Sequence, residues 1–190
     1  MGFQEVSKIA CIHGRFQPFH YGHVDYLKAA LNHWSKIIIG LTAVTPVTNV
    51  SKLVEHRADS VANPLTYWER MELINAVLND IGVSKDDITY VPFPIDQPEN
   101  LRFILPKTVI CATTDLYEWN REKVKRLTSE GFTTHILQEC VKVDYNGSTI
   151  RKKIIEGNSE WKDWVPPSAI ELLETWDIRN RLISLANQEA

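Results

Sequence analysis

Lys8-Ile9-Ala10-Cys11-Ile12-His13-Gly14-Arg15-Phe16-Gln17-Pro18-Phe19-His20-Tyr21-Gly22-His23-Val24 joins a short apolar run to the opening of a helix. Residues 8–13 read as a buried strand that ends in a glycine-containing loop. Residues 23–34 then carry Val24, Leu27, Ala30, Leu31 and Trp34 at helical spacing. The same alternation continues outward. A β-branched run at 36–42 predicts a second strand, and 43–63 is a long polar connection. Thr66 opens a helix through the capping-box pattern Thr66-Tyr67-Trp68-Glu69, which Gly82 ends. Strands follow at 88–93, 108–112 and 133–138, separated by a helix over 115–130 that Gly131 closes. Helical signals return at 148–156, stopped by Gly157, and again from Pro166-Pro167 onward. Strands separated by helices imply a parallel five-stranded α/β sheet covered on both faces. Ligands of such sheets bind beyond the carboxyl ends of the strands, in the loops after 13, 42, 93, 113 and 138.

Composition narrows what those loops can meet. The chain has 190 residues, 44% hydrophobic and 24% charged, an ordinary globular balance for one domain. The expected organisation is a core over about 8–157 with a helical segment over about 158–190. Twenty-one Lys and Arg against 24 Asp and Glu give a net charge of -3, which offers no footprint for duplex nucleic acid. Any bound anion is therefore small and met locally. Cys11, Cys111 and Cys140 are far apart and odd in number, so they read as reduced, small apolar residues of a cytoplasmic protein. Residues 1–7 are too polar for a signal peptide, and no apolar run approaches membrane-spanning length. No membrane partner is expected.

The loop itself is chemically dense, with three histidines, one arginine and two glycines in eleven residues. Gly14 permits close backbone approach to a ligand. Gly22 lies just before the helix, where free N–H groups and the positive dipole end attract phosphate. His20 and His23 can donate hydrogen bonds to phosphate oxygens and to developing charge, and Arg15 can grip phosphate bidentately. Metal ligation by the two histidines is disfavoured by the adjacent arginine and the lack of a third ligand. His13, at the strand end, reads equally well as a packed residue. Far downstream, Tyr145-Asn146-Gly147-Ser148-Thr149-Ile150-Arg151 repeats the theme: Ser148 at a helix N-cap and Arg151 one turn on face the same anion. Arg15, His20, His23 and Arg151 are expected to meet at one edge of the sheet.

Gly14 through His23 resembles the GRFQPxHxGH signature of the nucleotidylyltransferase superfamily, and Ser148 to Arg151 resembles its second signature, [ST]-x-[IV]-R. The chain looks most like the archaeal-type nicotinamide-nucleotide adenylyltransferases; Asn63-Pro64-Leu65-Thr66 with Glu69-Arg70-Met71, and residues 161–182, extend the likeness. The resemblance implies a Rossmann-like, doubly wound fold, and transfer of a nucleoside monophosphate from a triphosphate to a phosphorylated acceptor with release of pyrophosphate. ATP and nicotinamide mononucleotide giving NAD is the expected pair. CTP with a phospho-alcohol or phosphonate is the alternative, and a non-catalytic nucleotide sensor a second one. The implied catalytic residues are His20, His23 and Arg151. The nucleotide and phosphates would be held by Gly14, Arg15, Phe16, Gln17, Gly22, Asp115, Gly147, Ser148, Thr149 and Ile150. Mg²⁺ would ride on the triphosphate and water, with no protein side chain as ligand. Relatives often form dimers, tetramers or hexamers, so a homo-oligomer is expected. The departures fall on the acceptor side. Thr113-Thr114-Asp115 replaces a Thr-Gly-Asn turn, Asn100 and Phe103 stand where an Asn and a Trp hold nicotinamide, and Ala62 replaces a phosphate arginine, leaving Arg57 as the nearest substitute. Arg70 fits either a ligand role or an ion pair within its helix, and Asp115 either a ligand role or a helix cap.

Overall fold

The computed structural model describes residues 9–44 and 59–189. The expected sheet is present. Strands β1 (Ile9–Gly14), β2 (Lys36–Leu41), β3 (Ile88–Pro92), β4 (Ile110–Thr113) and β5 (Thr134–Ile136) pair in parallel in the order β3-β2-β1-β4-β5. β1 is central, and its Ala10, Cys11 and Ile12 are fully buried, as a parallel strand covered on both sides should be. The helices are α1 (Tyr21–His33), α2 (Tyr67–Asp80), α3 (Glu118–Ser129), α4 (Gly147–Glu156), α5 (Pro167–Thr175) and α6 (Ile178–Glu189). The crossover through α1 steps from β1 to β2, and the crossover through α3 steps the other way, from β4 to β5. With right-handed connections the two helices cover opposite faces, and the chain switches direction between β1 and β4.

Two compact units interleave along the chain. Of the described residues, one holds 9–14, 25–42 and 86–142; the other holds 15–24, 43–44, 59–85 and 143–189. The first contains the whole sheet. Its core joins Cys11 and Cys111, which are partners in register, to Phe93, Leu101, Leu127 and Phe132. The second packs α2 against α5, and α4 against α6. Leu73, Ile74, Leu173 and Leu182 are fully buried. Cys11, Cys111 and Cys140 are all free thiols. No helix among the described residues is long and apolar enough to cross a membrane.

Several boundaries follow local chemistry that the periodicity did not capture. The capping box forms as expected: Thr66 Oγ1 accepts from the Glu69 amide at 3.1 Å, and Glu69 Oε2 accepts from the Thr66 amide at 2.8 Å. Asp115, by contrast, does not cap α3. That helix starts at Glu118 behind Tyr117, and Asp115 pairs with Arg121 at 2.8 Å. Ser148 is not the cap of α4 either. Asn146 takes that place, with Oδ1 accepting from the Ser148 and Thr149 amides at 2.9 and 3.0 Å. The last helix divides at Trp176-Asp177, where Asp177 turns left-handed at φ 49°.

Candidate phosphate-binding site

The second unit gathers most of the signature residues. α1 begins at Tyr21, so Gly22 sits within its first turn and His20 immediately before it. The His20 carbonyl accepts from the His23 and Val24 amides at 2.8 and 3.1 Å. The imidazoles of His20 and His23 stack with centroids 3.7 Å apart. A side chain on Gly22 would press on the His20 ring at 3.2 Å, so the glycine lets the ring fold back over the helix start. Phe16 meets His23 edge-on at 4.9 Å, and Tyr145 meets His20 edge-on at 5.5 Å with Trp164 stacked behind it. The histidine pair is thus walled by aromatic rings. Burial drives the pKa of His20 down to about 3, so the ring is neutral at pH 7 and offers one N–H donor.

α4 closes on this loop from the other side of the sequence. Arg151 donates to the Gln17 carbonyl at 2.6 Å and to Ser148 Oγ at 3.1 Å. A Cβ on Gly147 would lie 2.7 Å from the Gln17 carbonyl oxygen and 3.1 Å from the Arg151 guanidinium, so only glycine admits this approach. The side chain of Gln17 is spent within the protein: its amide donates to the Leu65 carbonyl at 2.8 Å, and its carbonyl accepts from the Leu65 amide at 3.0 Å. Phe16 is packed, with 2% exposure. Thr149 is tied to the Asn146 cap, and Ile150 is fully buried. Any ligand contact of these residues would therefore come through backbone or leftover valence.

Arg70, open to a ligand role or an ion pair in its sequence, is turned inward onto the main chain. Its guanidinium is 1% exposed and donates to three main-chain carbonyls: Arg15 at 3.0 Å, Ala43 at 3.3 Å and Thr66 at 3.3 Å. Phe16, which follows Arg15, and Ala43 both sit at φ 52°, a left-handed conformation costly for side-chain-bearing residues. Arg70 thus fastens the main chain at both strained turns. The charges converge as well. Burial first, and then the charge of Arg15, lower Arg151 to about 10. Arg70 is lowered to about 10 by burial, with Arg15 again opposing its charge and Tyr67 favouring it. Arg15 is thus in electrostatic reach of both Arg70 and Arg151, and such a concentration of positive charge near a helix start suits a polyanion. Among the described residues no grouping of His, Cys, Asp and Glu could hold a metal ion.

The remaining expected residues fall elsewhere. Gly14, Asn100, Phe103 and Asp115 belong to the first unit. Gly14 closes β1, and its carbonyl accepts from the Thr42 amide at 3.0 Å. Asn100 donates to Gln97 Oε1 at 3.2 Å, and Phe103 is 75% exposed beneath the Arg102 guanidinium. Arg57 lies outside the described residues. Arg70's three carbonyls and the Tyr145–Trp164 support were missed in the sequence. An arginine among the apolar positions of its helix, and Tyr145 two residues before the glycine of the second signature, were the available signals.

A neutral His20 stacked on His23, and two buried guanidiniums that both feel the charge of Arg15, thus lie beside a helix start on a doubly wound α/β fold, an arrangement suited to phosphate groups. The match to the family described as cytidylyltransferase-like spans residues 11–153, and the chain belongs to that family. Its activity is nucleotidyl transfer. The chain is 29% identical over 183 residues to a phosphonoformate cytidylyltransferase of Streptomyces viridochromogenes, covering 96% of this chain and 99% of that one. It is 29% identical over 175 residues to a nicotinamide-nucleotide adenylyltransferase of Methanococcus aeolicus, covering 91% and 92%. An Archaeoglobus fulgidus protein of the same name is 27% identical over 181 residues, covering 93% and 96%. The fold matches a bifunctional NMN adenylyltransferase/ADP ribose pyrophosphatase of Francisella tularensis, a structure holding AMP and a manganese ion. Its TM-score is 0.68 at 18% identity, covering 95% of this chain, which spans about half of that protein (52%).

Proposed function

We propose that the chain transfers the nucleoside monophosphate of a magnesium-bound nucleoside triphosphate to the phosphate of nicotinamide mononucleotide, with ATP as donor, releasing pyrophosphate. The observation that carries nucleotidyl transfer is the gathering of Arg70 and Arg151 within electrostatic reach of Arg15, on the loop that carries the neutral His20 stacked on His23. An acceptor phosphate oxygen is already a nucleophile, so in-line attack on the α-phosphorus needs positioning and charge neutralisation rather than a covalent enzyme group. Arg15 and Arg151, with the Ser148 hydroxyl, hold the β- and γ-phosphates. His20 and His23 donate to the transferring group as charge spreads over its oxygens. Arg70 holds the loop that carries Arg15. Magnesium arrives with the triphosphate, through its oxygens and water. The site supplies cations and imidazoles, which suits that mode of delivery. The adenylyltransferase names shared by several full-length relatives support the ATP–nicotinamide pair.

A second reading, CTP with a phosphonate acceptor, is favoured by the Streptomyces relative, which aligns along 99% of its length. The departures at Thr113-Thr114-Asp115, Phe103 and Ala62 point the same way. Pyrophosphate release from ATP and CTP, each against nicotinamide mononucleotide, phosphonoformate and phospho-alcohols, separates the readings. Release only with ATP and the mononucleotide supports the first, and release only with CTP and a phosphonate supports the second. No release with any pair overturns both in favour of a nucleotide sensor.

A further inference from the structure

The first unit carries a buried polar group that the phosphate chemistry does not use. His13 is the last residue of β1 before Gly14, and 1% of it is exposed. Neither ring nitrogen has a hydrogen-bond partner among the described residues. A buried donor or acceptor left so is destabilising, a cost that a packed residue would avoid by being Phe or Leu. The surroundings are fitted to the ring. Phe93 stacks on it with centroids 4.4 Å apart and 13° between planes. Phe93 in turn needs Gly40, the register partner of His13 on β2, because a Cβ there would come within 2.6 Å of its ring.

The backbone beside His13 is also unusual. β1 and β4 pair through Ile12 and Ala112. Beyond that point the Tyr26 hydroxyl stands between the strands, accepting from the His13 amide at 3.4 Å and donating to the Ala112 carbonyl at 2.5 Å. This is where the chain switches direction, the place at which doubly wound sheets hold ligands. Burial first, and then the charge of Lys123 on α3, hold the His13 pKa well below its ordinary value; the Cys11 carbonyl only partly offsets them, without a geometry that makes a hydrogen bond to the ring. The ring therefore presents one donor and one acceptor, and no charge.

We propose that His13 is a specificity-determining residue whose neutral imidazole hydrogen-bonds an amide-like donor–acceptor edge of one of the two substrates at the β1–β4 switch point. The proposal rests on the nucleotidyl-transfer reading. Two sources carry such an edge: the amino-bearing edge of the donor's base and the carboxamide of a nicotinamide acceptor. Because the ring edge is enclosed, binding involves a local side-chain displacement of the kind common at recognition surfaces.

The test combines His13→Phe, which keeps the stack on Phe93 and removes both nitrogens, with ¹⁵N NMR of the His13 ring in the wild-type protein. His13→Phe is expected to melt no lower than wild type, while KM for one substrate rises at least about 10-fold, the scale on which polar sites discriminate. A rise for ATP or CTP places the contact on the donor base; a rise for nicotinamide mononucleotide places it on the acceptor. Saturation with that same substrate alone should shift the ring nitrogens. Both KM values within twofold of wild type, or no ring shift with ATP, CTP, nicotinamide mononucleotide or phosphonoformate, would overturn the proposal and leave His13 as a residue satisfied by an internal water. The NMR arm keeps it decidable if the variant does not fold. Wild-type pyrophosphate release, measured alongside, reports separately on the nucleotidyl-transfer reading.

Discussion

The loop around His20 and the end of β1 at His13 are seven residues apart and solve opposite problems. Around His20, positive charge accumulates: Arg15 bears on two other guanidiniums, and both are lowered to about 10. Around His13, burial disfavours charge on the ring, which is stacked on Phe93 with its nitrogens unpartnered among the described residues. The first arrangement suits any triphosphate, because every nucleotide carries the same phosphates. The second suits one neutral edge over another. If both proposals hold, reaction class and substrate identity lie in different stretches of one connection, and substitutions should separate them.

The largest effects belong to the charged loop. His23→Ala should lower turnover at least about 10²-fold, the scale of removing one donor to transition-state charge, with the fold intact by circular dichroism. Near-normal turnover would break the assignment of that loop to the chemical step. Gly147→Ala should cost nearly as much in kcat/KM, because its Cβ would drive the Gln17 carbonyl and the Arg151 guanidinium apart. A Gly147→Ala enzyme with unchanged kinetics would mean that α4 need not approach so closely.

Arg70→Lys should act less severely and through KM. It keeps a cation but loses the fork that holds the Arg15, Ala43 and Thr66 carbonyls. We expect a KM for the nucleotide raised about 10-fold with kcat within about threefold. A fall in kcat alone would instead place Arg70 at the transferring phosphate.

Acid should weaken the fold by a modest and calculable amount. The unfolded chain protonates His20 near pH 6.5, but the folded chain does so only near 3. In that window the unfolded state binds the extra proton, so stability is complete above 6.5 and is lost as pH falls through the window. Between pH 7 and 5 His20 alone should account for about 2 kcal/mol, measured by urea unfolding. His20→Phe should flatten that slope by the same amount. A slope unchanged in the variant would show that His20 is not held neutral.

The contrast also explains what could be read from the sequence. The alternation of β-branched runs with helical stripes suffices for a parallel sheet, and the sheet formed with strand ends within a few residues of the expected ones. His20, His23, Ser148 and Arg151 stood out in the sequence because phosphate chemistry uses those residue types near helix starts, and the structure stacks His20 on His23 and joins Arg151 to Ser148. What stayed hidden depends on contacts between distant residues. Asn146 outcompeted Ser148 for the cap because its longer side chain reaches two amides at once. Asp115 found Arg121 instead of the start of α3. The Gln17 side chain is tied to Leu65, and Arg70, read as a ligand or an ion-pair partner, is buried among carbonyls. His13 carries no periodic signal at all; only the absence of a partner in three dimensions distinguishes it from a packed residue.

The central claim is that the arginine-lined loop carries a triphosphate whose α-phosphoryl group moves to an acceptor. A single-turnover experiment with α-³²P-labelled ATP or CTP tests it most directly, run with excess enzyme, magnesium and the acceptor that supports pyrophosphate release. The label should appear in the acceptor product at the same rate as unlabelled pyrophosphate is released, and both rates should collapse together in His23→Ala. Label recovered as free nucleoside monophosphate or diphosphate, with no labelled acceptor formed, would contradict it.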